Sequence, residues 1–347
     1  MKIAVVVPAH NGAIALKKCL TAITGSSREP DQVIVVDDGS TDPTVCKLAS
    51  EFEFDYFSVP AAPAGPANAR NLGVGQTKAE LVLFVDSDVV LARDSIEKVV
   101  NVFSANPDTH ALFGSYDSSP AVTTTVSRYK NLLHHFVHQQ GNHKASTFWS
   151  GFGAARREVF LAVGGFDRSY RKPCIEDIEF GARLVKAGYT IQLCPEIQVK
   201  HLKHWTLTGM IHTDIFCRAI PWTKMMINQN IGVSDDLNTS VKSRVSAIAA
   251  ILFSLSLVCV VAGYPLHHIT MFFLGAYISL DWKLFKFFQR TGGWRLAVGG
   301  AALHLIYYLY ASITFVSVHL VDWCTKAFSR IVPSWMNTRA ISSLKNQ

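Results

Sequence analysis

Two carboxylates, Asp86 and Asp88, close the run Ala79-Glu80-Leu81-Val82-Leu83-Phe84-Val85. Side chains two apart on a strand point the same way, so the pair leaves the sheet together at the edge where open α/β sheets bind ligands. A hard divalent cation and a diphosphate fit there. A second acidic cluster, Asp37-Asp38-Gly39-Ser40-Thr41-Asp42, ends another apolar run. It reads either as a ligand contact or as an Asp-Gly turn with Asp42 capping the next helix. Glu176 and Asp177 precede Ile178, Gly181, Ala182 and Leu184 at helical spacing, so they open a helix. Carboxylates in a first turn favour the helix dipole, and one set against a hydroxyl can serve as general base. Arg70, in Asn68-Ala69-Arg70-Asn71-Leu72-Gly73, pairs either with a phosphorylated ligand or with Asp86 and Asp88. His201 ends the alternating run Ile197-Gln198-Val199-Lys200-His201 and reaches a sheet edge, where neutral imidazole suits a transition metal. His204 is a second candidate.

The elements that must position these groups alternate. Val/Ile-rich runs at Lys2 to Val7, Gln32 to Val36 and Leu81 to Val85 read as strands, with helical stretches at Ala13 to Ile23, Thr44 to Phe52, Ala67 to Gly75 and Ser95 to Ala105. Such alternation predicts a largely parallel sheet covered by helices. Each strand ends in polar residues, Pro8-Ala9-His10-Asn11, Asp37 to Asp42 and Asp86-Ser87-Asp88, which converge on one edge. Ala61 to Pro66 reads as a flexible loop. His134, His135, His138 and His143 read as surface residues.

Composition divides the chain of 347 residues, 49% of them hydrophobic. Val245 to Leu280 and Leu296 to Val321 contain no Asp, Glu, Lys or Arg. A membrane span takes about 20 apolar residues, so the first stretch predicts two helices broken near Gly263-Tyr264-Pro265 and the second predicts one. Trp205 to Arg244, rich in Met and Trp with Arg218 and Lys224 interspersed, predicts interfacial helices or core helices under the α/β domain. The N-terminus reads as a first buried strand rather than a targeting signal. Seven scattered cysteines without a Cys-x-x-Cys pair argue against a disulfide framework and a zinc site. The net charge of +7 fits anionic lipid or a phosphorylated donor; no nucleic-acid motif accompanies it.

Six segments, in order, resemble the inverting family 2 glycosyltransferases: Val6-Val7-Pro8-Ala9-His10-Asn11, Val36 to Asp42, Ala69-Arg70-Asn71-Leu72-Gly73, Asp86-Ser87-Asp88, Gly164-Gly165-Phe166-Asp167 and Ile175-Glu176-Asp177. The resemblance covers roughly residues 1 to 230. It implies an α/β catalytic domain of GT-A fold (Rossmann-like, mostly parallel sheet), followed here by an all-α transmembrane region. It implies a nucleotide-diphosphate sugar donor, a UDP-sugar, bound by Pro8, Ala9, Asn11, Asp37, Asp38, Arg70, Asp86, Ser87 and Asp88, with Trp149, Ser150 and Gly151 around the donor sugar. Of Asp37 and Asp38, one would accept from the uracil ring and its neighbour would help hold the nucleoside, and Asp86 would lie near the ribose. Mg²⁺ or Mn²⁺ would sit on Asp88 and His201. Asp177 would be the general base, with Glu176 binding acceptor or substituting, and Gly164-Gly165-Phe166-Asp167 would be architectural.

The expected organisation is a catalytic domain over 1–204, interfacial helices over 205–244, membrane helices near 245–263, 265–283 and 296–321, and a basic tail over 326–347. The expected activity is transfer of a single sugar to a hydroxyl of a lipid or lipid-linked acceptor, with the catalytic domain on the cytoplasmic face of a bacterial inner membrane. Processive members carry Gln-x-x-Arg-Trp where this chain has Arg218-Ala219-Ile220-Pro221-Trp222, which argues against repeated addition. A polyprenyl-phosphate acceptor, which needs no base, is the rival enzyme reading. A non-catalytic nucleotide-sugar-binding membrane scaffold is the rival from another class.

Overall fold

The computed structural model describes residues 1–60, 63–229 and 240–331. The predicted tail beyond 331, residues 230–239 of the predicted interfacial segment and Ala61-Ala62 of the predicted loop lie outside the described residues. The alternating pattern folds as β1 (Ile3–Ala9), α1 (Ala13–Thr24), β2 (Gln32–Asp37), α2 (Thr44–Glu51), β3 (Asp55–Ser58), α3 (Pro66–Gly75) and β4 (Leu81–Val85). It continues through β5 (Val89–Leu91), α4 (Ser95–Ala105), β6 (Ala111–Tyr116), α5 (Thr125–Gln140), β7 (Lys144–Ala145), β8 (Phe152–Arg156), α6 (Arg157–Ala162), α7 (Glu176–Lys186) and β9 (Ile191–His201).

The nine strands form one sheet in the order β3-β2-β1-β4-β8-β6-β9-β5, with β7 on β9. The three predicted strands, β2, β1 and β4, pair parallel, and β3, which lies outside the predicted runs, adds parallel to β2. The sheet becomes mixed where β8 enters antiparallel between β4 and β6. All seven residues of β1 are buried, because the strand is flanked on both edges and covered on both faces. Ile3, Val5 and Val7 pack with Leu16 and Leu20 of α1, while Val6 packs with Ala67 and Ala69 of α3 and Phe84 of β4. This is the period-2 alternation of a strand inside a layered fold. α3 approaches so closely that a Cβ on Gly73 would stand 2.5 Å from a Val6 methyl.

The C-terminal part builds its own core on α5. It comprises α8 (Leu207–His212), a π-helical turn (Thr213–Ala219), α9 (Ile220–Gln229), α10 (Val241–Val261), α11 (His267–Leu280) and α12 (Trp282–Ile331). Tyr129, Leu132 and Leu133 of α5 are buried with Met210, Tyr277, Phe288, Leu296 and Leu303. Three consecutive α5 residues tie the parts together. Arg128 donates to the Thr291 carbonyl at 3.1 Å, Tyr129 Oη meets His304 Nδ1 at 3.0 Å, and Lys130 donates to both oxygens of Asp214 at 2.6 and 2.7 Å. Tyr310 also donates to Asp214, at 2.6 Å.

Several sequence expectations change here. His135 and His138 are buried and His134 is half-buried; only His143 is exposed. Their helix face lies under the sheet, packed on Phe113, Tyr116 and Trp149. Of the interfacial and core readings of 205–229, the core reading fits the buried Met210, Asp214 and Met225, although Phe216 remains 58% exposed. Among the described residues two helices are long and apolar enough to cross a membrane, within Val241–Val261 and Trp282–Phe328. α11 is not a third, because its 14 residues reach about 21 Å against about 30 Å of hydrocarbon. Lys242 lies 3.7 Å from Asp281, so α10 and α11 form an antiparallel hairpin. α12 breaks at Gly292 and Gly293, and Gly300 packs against Phe288. The first part of the predicted 296–321 span is therefore folded back onto α5, with Leu296, Ala297, Leu303 and Tyr308 buried.

Candidate active site

The ends of β1, β2 and β4 converge because the strands are adjacent and in register, with Ala9 opposite Asp37 and Val6 opposite Phe84. Pro8 and Ala9 are buried, and the Ala9 carbonyl accepts from Asp38 N–H at 2.8 Å. Asn11 takes a left-handed conformation, φ +57°, which asparagine tolerates better than most residues. Its N–H donates to Ser40 Oγ at 2.7 Å and its Oδ1 accepts from Thr41 N–H at 3.0 Å, so it ties the first strand loop to the second. Asp37 accepts from Ser40 N–H at 2.8 Å, Ser40 Oγ at 2.6 Å and Tyr56 Oη at 2.8 Å. Asp38 accepts from the N–H groups of Ala64 and Gly65 at 2.7 and 2.8 Å. Gly65 is required there: φ is +92°, and a Cβ would fall 2.6 Å from the Arg171 backbone. Both aspartates thus brace the loops around the cleft, with lone-pair capacity left on each carboxylate.

Arg70 is 3% exposed and spans two carboxylates, Asp86 Oδ1 at 2.6 Å and Glu176 Oε1 at 2.9 Å. The sequence pairs it with Asp86 and Asp88; the fold gives it Asp86 and Glu176. The other Glu176 oxygen accepts from Cys174 N–H at 2.8 Å, so this buried side chain organises the approach to α7.

Asp88 meets His201 through strand pairing. Val89 of β5 stands opposite His201 of β9, and the Asp88 carbonyl accepts from Leu202 N–H at 2.8 Å. His201 Nε2 lies 3.4 Å from Asp88 Oδ2. Burial pushes the Asp88 carboxyl up, but the His201 ring and the Lys203 ammonium outweigh it and hold the group below its ordinary range. Ser87 lies half-buried in the turn between the two aspartates, whereas His204 is exposed. No cluster of three or more His, Cys, Asp or Glu side chains able to hold a metal occurs among the described residues. A carboxylate and an imidazole nitrogen suit a cation that completes its shell with phosphate oxygens and water.

Asp177 sits in the first turn of α7, half-buried. Its Oδ2 accepts from Ser150 N–H at 3.1 Å and Ser150 Oγ at 3.3 Å. Burial, then the neighbouring Glu176 charge, push its carboxyl up to about 6, a value suited to accepting a proton near neutrality. The next residue of the loop, Gly151, accepts from Asp86 N–H at 3.1 Å. A Cβ there would stand 2.7 Å from the Trp149 indole, and Trp149 is held edge-on to Tyr116 at 4.7 Å. One short loop, Trp149-Ser150-Gly151, therefore links Asp177 to the Asp86–Asp88 turn.

A sheet edge carrying this carboxylate set has known counterparts. The glycosyl transferase family 2 domain matches residues 4–164, and the N-terminal domain of galactosyltransferase matches 130–205. The O-antigen chain rhamnosyltransferase RfbN of Salmonella typhimurium is 30% identical over 246 residues, 64% of this chain and 74% of its own. This chain belongs to glycosyl transferase family 2. A pre-mycofactocin glycosyltransferase of Mycobacterium tuberculosis is 29% identical over 209 residues, covering 57% of this chain and 42% of its own. Among solved structures, the mannosyltransferase PcManGT from Pyrobaculum calidifontis, in complex with GDP-Man and Mn2+, superposes with a TM-score of 0.58. It does so at 18% identity over 87% of this chain and 86% of its own. The fold is GT-A, and the protein is a glycosyltransferase.

Some residues of this glycosyltransferase site carry no motif. Tyr116, which stacks on His201 at 4.4 Å, and Asn131, which bonds its ring, come from β6 and α5, far from the family segments. No pattern in the sequence points to them: the polar residues of α5 show as buried, and so as needing partners, only once the fold is in place.

Proposed function

We propose that the enzyme transfers one sugar from a nucleotide-diphosphate donor, a UDP-sugar by the resemblance of its strand ends, to a hydroxyl of a lipid or lipid-linked acceptor, with inversion. The observation that carries this is that Asp177, raised to about 6, is held from α7 by the same loop that holds Asp86. Pro8, Ala9, Asn11, Asp37 and Asp38 line the nucleoside end, Arg70, Asp86 and Ser87 the ribose and diphosphate, and Trp149, Ser150 and Gly151 the sugar. Asp177 takes the proton of the acceptor hydroxyl as its oxygen attacks the anomeric carbon from the face opposite the diphosphate. The anomeric carbon–oxygen bond to the nucleotide breaks, and the nucleoside diphosphate leaves with the electron pair. Asp88 and His201 would hold Mg²⁺ or Mn²⁺, which offsets the charge developing on the diphosphate. Glu176, with both oxygens engaged, holds Arg70 rather than the acceptor.

Support for a membrane acceptor comes from the apolar side chains that α10 to α12 leave uncovered, among them Val258 at 66%, Phe272 at 68% and Val316 at 54% exposed. Large apolar side chains left exposed along several helices suit a lipid surface. The net charge of +7 favours an anionic, cytoplasmic leaflet. A thermal-shift screen of UDP, GDP, CDP and dTDP sugars, each with Mn²⁺ or Mg²⁺, tests the donor. The true donor at 100 times Kd stabilises by about 2.7 kcal/mol, and the absence of a shift with every nucleotide sugar overturns the reading.

A further inference from the structure

Asn131 of α5 is 2% exposed, and its Oδ1 lies 2.7 Å from His201 Nδ1. An amide oxygen only accepts, so Nδ1 donates to it and Nε2 is the ring nitrogen left for a metal. Nε2 faces Asp88 Oδ2 at 3.4 Å, so the two atoms that would take the cation already stand together. The ring is fixed in plane as well as in tautomer. Its face lies on Tyr116 with centroids 4.4 Å apart and planes 9° from parallel, and the Tyr116 carbonyl meets His135 Nδ1 at 2.7 Å. His135 is one helical turn beyond Asn131, on the same face of α5.

Packing alone does not account for an amide here. Asn131 Nδ2 is buried without a protein partner, and an unpaired buried donor disfavours folding, so a leucine would suit this position better if filling space were the whole requirement. We propose that Asn131 is the positioning residue that sets the tautomer and orientation of His201 for a divalent cation. This rests on the reading of Asp88 and His201 as metal ligands. Outer partners of this kind fix ligating histidines and change metal affinity by about 10- to 100-fold when lost. The same helix carries Arg128, Tyr129 and Lys130, which bond to the C-terminal helices. The aim of His201 and the docking of those helices therefore depend on one rigid element.

The test is Mn²⁺ binding by the purified full-length protein in detergent, read from the loss of the free-ion electron paramagnetic resonance signal, with Asn131→Leu, Asn131→Asp and His201→Ala. Asn131→Leu is expected to weaken Mn²⁺ binding about 10- to 100-fold. Asn131→Asp, which still accepts from Nδ1–H, is expected to bind at least as tightly as wild type. The pulsed signal of the remote imidazole nitrogen should differ between wild type and Asn131→Leu while nitrogen coordination is retained. Should Asn131→Leu fail to fold, Asn131→Asp decides: weaker binding than wild type overturns the proposal. Wild-type affinity in Asn131→Leu with lost binding in His201→Ala overturns the role of Asn131 and leaves the metal reading standing. Wild-type affinity in His201→Ala overturns the metal reading itself.

Discussion

Arg70 and Glu176 stand 106 residues apart in sequence and form an ion pair of 2.9 Å, with side chains 4% and 5% exposed. The pair joins the helix behind β1 to the helix that carries Asp177, so the proposed base is held by a contact that is itself buried. Removing one partner of such a pair leaves an uncompensated charge. Glu176→Ala is expected to lose about 3 kcal/mol of stability, the lower end for breaking a buried pair because Asp86 still faces Arg70. Chemical denaturation checks this, and a loss below about 1 kcal/mol would remove Glu176 from the framework and return it to the acceptor side.

Asp177→Asn separates chemistry from folding. The amide keeps the size of the side chain and cannot take the proton, so turnover should fall by about 10² or more while donor affinity stays near wild type. Turnover within about threefold of wild type would instead favour an acceptor that needs no base, such as a polyprenyl phosphate.

The same carboxyl sets a pH dependence whose sign is fixed by its direction. Asp177 in the folded enzyme is raised from 3.8 to about 6, so kcat/KM should rise with pH through about 6 and level off above it. For stability the native state binds the extra proton between those two values. The contribution of this group is therefore full at acid pH and lost as pH climbs toward 6, opposite to a salt-bridged carboxylate. A pH–rate profile flat from 5 to 8 would sink the assignment of the base.

Asp88→Ala is expected to remove the metal-dependent part of nucleotide binding, because it deletes one of the two protein donors that converge at 3.4 Å. Asp42→Ala, at an exposed helix start where the carboxylate accepts from Thr44 N–H, should leave that binding unchanged. Calorimetry with and without EDTA distinguishes them; equal affinity for UDP in wild type and Asp88→Ala, both with Mn²⁺, removes the metal from Asp88.

The strand ends were legible in the sequence because hydrophobic runs and their polar terminators are local signals. Leu81–Val85 and Ser95–Ala105 fall at the bounds their patterns give. α5 was not legible. Its buried face contains Lys130, Asn131, His135 and His138; the two histidines read as surface and the other two carry no motif until the fold supplies their partners. β5 is three residues long and exists only because β9 is there to pair with it. The charge-free stretches revealed apolar length, yet the fold-back of α12 depends on two glycines, Gly292 and Gly293, whose backbone angles no hydropathy pattern encodes.

The α10–α11 hairpin yields the last prediction. Its base is marked by Lys242 and Asp281, 3.7 Å apart, a charged pair suited to the headgroup level. Its depth is set by the longer arm, 21 residues or about 31 Å, which matches about 30 Å of hydrocarbon, and the connection from Val261 to His267 lets the shorter α11 return to the same base. The turn at Gly263-Tyr264-Pro265 should therefore reach the far interface. With native cysteines replaced, Tyr264→Cys is expected to react with an impermeant maleimide in intact cells. Lys224→Cys, on the exposed side of α9, should react in inverted vesicles alone. Protection of Tyr264→Cys in intact cells would show that the hairpin stops inside the bilayer, and labelling of Lys224→Cys there would overturn the proposed cytoplasmic placement of the catalytic domain.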